Sequence, residues 1–109
     1  MAKWFTPQEV IGLTNYMVSR LDALRDYAGI PVVITEGRPL NTEGSHVKDS
    51  EHFEGKGVDI RCLTSKQRFL FLRAAIHVGF TRIGVYDKHI HLGVSTDLPD
   101  LVCWWGVSK

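Results

Sequence analysis

The 109 residues predict a small α+β domain, a mostly antiparallel sheet with two main helices packed on one of its faces. Three observations carry that prediction. The length is that of one domain, which buries about two-thirds of the surface its unfolded chain exposes. Two stretches place apolar residues at helical spacing, each opened by a capping signal and closed by glycine. Four short runs are β-branched or alternate in polarity like strands, and the last two are joined by only two residues, Asp87 and Lys88.

In chain order, Thr6-Pro7-Gln8-Glu9 reads as a helix start: a Thr cap, Pro at the first helical position and Glu three residues after the cap. Val10, Leu13, Met17, Leu21, Leu24 and Ala28 then share one helical face until Gly29 supplies a left-handed cap and Pro31 forbids continuation. Pro31 to Thr35 is a buried strand by its β-branched content. From Glu36 to Gly55 the chain is polar, with Gly37, Pro39, Asn41 and Gly44, and reads as a long surface loop of the kind that carries function. Gly57 to Cys62 alternates, placing Val58, Ile60 and Cys62 on one face and Asp59 and Arg61 on the other. Thr64 and Gln67 form a second capping box, and Phe69, Leu70, Leu72, Ala75 and Ile76 carry a helix to Gly79. Arg82 to Tyr86 and His89 to Val94 pair as a hairpin, with His89 and His91 on one face and Ile90, Leu92 and Val94 on the other. Trp104 and Trp105 in the tail read as an apolar lid over the domain or as part of a groove.

Thirteen Lys and Arg against twelve Asp and Glu leave a net charge of +1, without the basic excess that nucleic-acid binding draws on. No apolar run approaches the ~20 residues that span a bilayer, so no membrane partner is expected. Met1 to Pro7 has no charged region followed by an apolar one, so a start in the cytoplasm without a signal peptide is expected. Cys62 and Cys103 are accordingly read as two reduced, partly buried thiols. A monomer is expected.

Four residues are informative for chemistry: His52 and Asp59, seven apart, and His89 and His91, two apart. A catalytic zinc site needs three converging N, O or S ligands with one position open for water. His52 enters the strand whose polar face carries Asp59, and the two histidines project from one face of another, so neighbouring strands would let all four converge. Spacing alone leaves two readings open, a metal site and an ordinary solvated strand face. His46 gains no such support, and His77, late in the second helix, suits the negative end of the helix dipole.

The segment from Ser50 to Asp59, with His52, Gly55 and Asp59 at fixed spacing, resembles the S-x-H-x-x-G-x-A-x-D signature of the zinc D-alanyl-D-alanine peptidases, peptidoglycan enzymes related to the hedgehog signalling domain. His89-Ile90-His91 resembles that family's H-x-H motif, Gly79 to Tyr86 its "GF..IG.Y" strand, and Val32 to Arg38 its "ITSGYR" segment. The likeness runs from the first helix to about Val94. It implies a hedgehog/DD-peptidase-like fold over residues 1–109, a Zn2+ cofactor held by His52, Asp59 and His91, and water in the fourth position. It also implies that Arg38 pairs with a substrate carboxylate or the developing oxyanion, as its planar fork allows, and that Ser50 hydrogen-bonds the substrate.

The chain departs from the family pattern in places. Gly57 replaces Ala, and the arginine segment is one residue shorter. Lys88 stands where some members place a Glu as general base, and Gly93 where many carry Asp. His89 is the first candidate for the base, because histidine exchanges protons near neutral pH, and Asp87 the second; Asp87 could instead orient His89 or fill the turn. The implied function is zinc-dependent hydrolysis of a bond in the peptidoglycan stem peptide, as a D-Ala-D-Ala carboxypeptidase or an endolysin-type endopeptidase. The implied setting is bacterial or phage, with action on the cell wall after phage lysis or injection. The alternative is a zinc-stabilised, non-catalytic binding module or phage structural module.

Overall fold

The structure, a computed structural model, describes residues 2–37 and 54–107. Two helices, α1 (Asn15–Ala28) and α2 (Ser65–Val78), lie with five strands, β1 (Ile34–Glu36), β2 (Gly57–Arg61), β3 (Arg82–Val85), β4 (His89–Gly93) and β5 (Val102–Trp105). The strands form one sheet in the order β1-β2-β4-β3-β5. All pairings are antiparallel except β3 with β5, which is parallel. The α+β class is therefore as the sequence predicts, with a mixed sheet.

The first helix begins later than its capping signal suggests. Thr6 and Glu9 do cap each other, with the Thr6 N–H donating to Glu9 Oε1 at 2.8 Å, but they close only a turn. Gly12 takes φ 79°, which a right-handed helix cannot pass through, and the chain restarts at Thr14, whose hydroxyl accepts from the Met17 N–H. Val10 and Leu13 still pack against the core from this turn segment. The second helix opens on the expected capping box at Thr64, and both helices end on left-handed glycines, Gly29 and Gly79.

One face of the sheet is apolar because alternation in β2 and β4 sends Val58, Ile60, Ile90 and Leu92 to the same side, where all four are fully buried. Met17, Leu21 and Leu24 of α1 and Phe71, Ala74 and Ala75 of α2 complete that core. Burial of each large apolar side chain contributes about 1.5–3 kcal/mol relative to exposure. Phe69 and Ile76, expected to share in the second helix's apolar face, are exposed instead; the buried stripe runs through Phe71, Ala74 and Ala75. The Arg20 guanidinium ties the helices together by donating to the Val78 carbonyl at 3.0 Å.

The tail is a strand, not a lid. Val102 to Trp105 pair with Arg82 to Val85, so Trp104 falls beside Gly84 while Trp105 is exposed at the sheet edge. Cys62 is buried and Cys103 exposed, both free, which corrects the expectation that each thiol is partly buried. Among the described residues no helix is long and apolar enough to cross a membrane.

Candidate functional site

The face of the sheet opposite the helices carries the polar half of each alternating strand. Register sets which side chains meet there. Asp59 of β2 is directly opposite His91 of β4, and Arg61 opposite His89. Directly opposed residues of an antiparallel pair have Cβ atoms about 4.5–5.5 Å apart, so their polar ends can touch. Asp59 uses both carboxylate oxygens: Oδ1 is 3.2 Å from His91 Nδ1, and Oδ2 is 3.7 Å from His89 Nε2. The three side chains are largely shielded, with 14% of the Asp59 side chain, 10% of His91 and 21% of His89 exposed. In so shielded a setting a carboxylate and two imidazoles interact more strongly than on an open surface.

The same transverse row extends across the whole sheet. Glu36 on β1 stands opposite Asp59, and Gly84 on β3 opposite His91, with Trp104 on β5 beside Gly84. The Trp104 ring lies 5.5 Å from that of His91. In the next row Tyr86 closes the hairpin, its N–H donating to the His89 carbonyl at 3.0 Å and its ring stacked on the His89 imidazole at 4.2 Å and 12°. Trp104 Nε1–H donates to the Tyr86 hydroxyl at 3.0 Å. Glu36, Tyr86 and Trp104 are not among the site residues that the sequence singles out, although Tyr86 ends the segment likened to the "GF..IG.Y" strand and Trp104 reads there as part of a lid or a groove. The register that gathers them is set by pairing between distant segments, which no local pattern shows.

Of the residues singled out by sequence, Asp59, His89 and His91 come together here. Asp87 and Lys88 are exposed in the β3–β4 turn, next to His89 in the chain. Arg38, His46, Ser50 and His52 lie outside the described residues. His77 sits exposed near the end of α2, stacked on Tyr27 at 4.0 Å, away from the site face.

Asp59 and His91 carry two of the donor types that a zinc site uses. Two ligands of a tetrahedral zinc at about 2.0–2.1 Å stand about 3.3–3.4 Å from each other. The 3.2 Å between Asp59 Oδ1 and His91 Nδ1 needs only a small adjustment to match. Oxygen and imidazole nitrogen are both ordinary zinc donors. Among the described residues no group of three or more His, Cys, Asp or Glu is arranged to hold a metal ion, so these residues by themselves do not complete a zinc site.

No family model matches the chain. In sequence it is 26% identical over 105 residues to the Indian hedgehog protein of Xenopus laevis, an alignment covering 85% of this chain and 25% of that protein. The chain thus spans about a quarter of the length of the curated relative it matches. The similarity is compatible with a hedgehog-like fold.

Proposed function

We propose that the chain is a zinc peptidase that hydrolyses a bond in the peptidoglycan stem peptide, with His52, Asp59 and His91 holding the metal. The observation that carries this reading is the 3.2 Å approach of Asp59 to His91 on the polar face of the sheet, with His89 on the same carboxylate. The His52-to-Asp59 spacing of the zinc D-alanyl-D-alanine peptidase signature supports it from the sequence.

Zinc bound there would lower the pKa of a coordinated water toward about 7 and polarise the scissile carbonyl. The chain's own residues supply the rest. His89, between the Tyr86 ring and Asp59, would exchange a proton with the attacking water and the leaving amine. Asp87 is the second candidate for that role. Arg38 would pair with the substrate carboxylate or the developing oxyanion, and Ser50 would hydrogen-bond the substrate. The setting we propose is bacterial or phage, with a monomer acting on the wall after lysis or injection.

Purified protein loaded with zinc is expected to release new amines from peptidoglycan, a chelator to stop it, and His52→Ala to lose metal. Undiminished hydrolysis by metal-free protein would overturn the reading. Lys88 at the position of the family's glutamate, and the hedgehog similarity, favour a second reading: a zinc-stabilised module that binds a wall fragment or protein partner without cleaving it. Bound zinc with no hydrolysis of any stem-peptide substrate, and ligand affinity unaltered by His89→Ala, is the result that would select it.

A further inference from the structure

We propose that Tyr86 and Trp104 are positioning residues for His89, so that the edge strand β5, far from the signature motifs in sequence, sets the geometry of the site. The inference rests on the peptidase reading for its catalytic consequence, but its geometry stands apart from it.

Five side chains form a closed circuit on the polar face. Trp104 donates to the Tyr86 hydroxyl at 3.0 Å, and Tyr86 stacks on His89 at 4.2 Å. His89 meets Asp59 at 3.7 Å, Asp59 meets His91 at 3.2 Å, and His91 faces Trp104 at 5.5 Å. An imidazole on a strand has two side-chain torsions to fix, and an ion-pair contact at 3.7 Å to one carboxylate oxygen does not by itself stop rotation about that contact. A ring stacked nearly parallel at 12° removes it, because tilting the imidazole would drive its edge into the tyrosine face. The tyrosine in turn is fixed at its hydroxyl end by the indole N–H.

Two glycines make room for this arrangement. A Cβ at Gly84 would stand 2.7 Å from Trp104 Cε2 and Nε1, so the indole can lie over β3 only because position 84 has no side chain. A Cβ at Gly106 would stand 2.6 Å from Tyr86 Cε2, so the tyrosine ring has the same requirement of the residue just after β5. Real Cβ atoms do not approach ring carbons so closely, because interiors pack at van der Waals contact. Both glycines are thus sized to the two rings that hold His89.

The test compares wild type with Tyr86→Leu, Tyr86→Phe and Gly84→Ala, and uses Thr14→Ala as a control that weakens a helix cap away from the site. In metal-free protein the His89 ring protons, read by NMR, are expected upfield through the Tyr86 ring current. Tyr86→Leu should move them to the position of an unstacked imidazole, and Gly84→Ala and Tyr86→Phe, which disturb or remove the indole's hold on the ring, part of the way, while Thr14→Ala leaves them in place. In zinc-loaded protein acting on stem peptides, Tyr86→Leu and Gly84→Ala should lower kcat about ten- to a hundredfold. KM should stay within about twofold, and Tyr86→Phe, which keeps the stacked ring but loses the indole hydrogen bond, should lower kcat less than Tyr86→Leu does. His89 signals identical in wild type, Tyr86→Leu and Gly84→Ala overturn the inference whatever the activity, as does an unchanged kcat in variants whose His89 signals have moved. Upfield His89 signals in a wild-type protein that cleaves nothing meet the geometric expectation and sink the peptidase reading alone.

Discussion

Asp59 is the residue on which the site turns, because one carboxylate serves two imidazoles. Asp59→Ala is expected to lower zinc affinity by more than the roughly 10–100-fold typical of losing an outer-shell partner, measurable by competition with a chromophoric chelator. The two thiols differ for a different reason. Burial pushes the Cys62 thiol up from its ordinary value, which suppresses the thiolate, whereas Cys103 is exposed. Alkylation of native protein at neutral pH should therefore modify Cys103 first and Cys62 only on unfolding, with mass spectrometry of the peptides as readout; equal rates would contradict the burial. Asp26 illustrates acid sensitivity. The Trp4 indole N–H at 2.8 Å and Lys3 hold its carboxyl below the ordinary 3.8. A depressed carboxylate stabilises the fold above its unfolded pKa and loses that contribution as pH falls through the folded value. The stability gap between wild type and Asp26→Ala should thus be present at neutral pH and close below about pH 4, as denaturant titrations at several pH values would show.

Among the elements, the N-terminal segment separates local signal from outcome. Thr6-Pro7-Gln8-Glu9 makes its capping box, yet the helix belongs to Thr14, since Gly12 at φ 79° breaks the run between them. Thr14→Ala should cost about 1 kcal/mol in urea unfolding, as for other N-caps. Thr6→Ala, whose box caps a solvent-exposed turn, should cost less, and a reversed order would place the helix start at residue 7. The strands β2 and β4 were legible because period-two alternation alone assigns Asp59, His89 and His91 to a polar face and Val58, Ile60, Ile90 and Leu92 to the core. The strand β5 was not, since Val102-Cys103-Trp104-Trp105 has no alternation to read and its pairing partner lies some twenty residues earlier in the chain. On α2 the small residues Ala74 and Ala75 take the buried stripe while Phe69 and Ile76 face outward, a choice made by the sheet and α1 that the spacing of apolar residues left open.

At the scale of the whole molecule, the sheet divides two tasks between its faces. The helical layer supplies stability through Met17, Leu21, Leu24 and Phe71, and the opposite face holds the polar site. Because the proposed ligands come from different segments, zinc held as proposed would couple to folding. Zinc at about a hundred times its dissociation constant should add about 2.7 kcal/mol. In a domain near this size that raises Tm by roughly 10 °C or more, and a chelator should reverse it. A Tm insensitive to zinc would count against a site built from distant segments. A net charge of only +1 gives these 109 residues no strong field toward an anionic surface.

The sequence by itself determined the class of fold, the helix caps at Thr64, Gly29 and Gly79, the split of β2 and β4 into polar and apolar faces, and the candidacy of Asp59, His89 and His91. These are consequences of local chemistry and of short periods, which a chain carries wherever it is read. Only the tertiary structure decided that Glu36, Asp59, His91, Gly84 and Trp104 form one row and that Tyr86 and Trp104 close around His89. Such neighbours arise from strand order and register, which depend on how segments tens of residues apart bury their apolar faces together, and no local pattern encodes that choice.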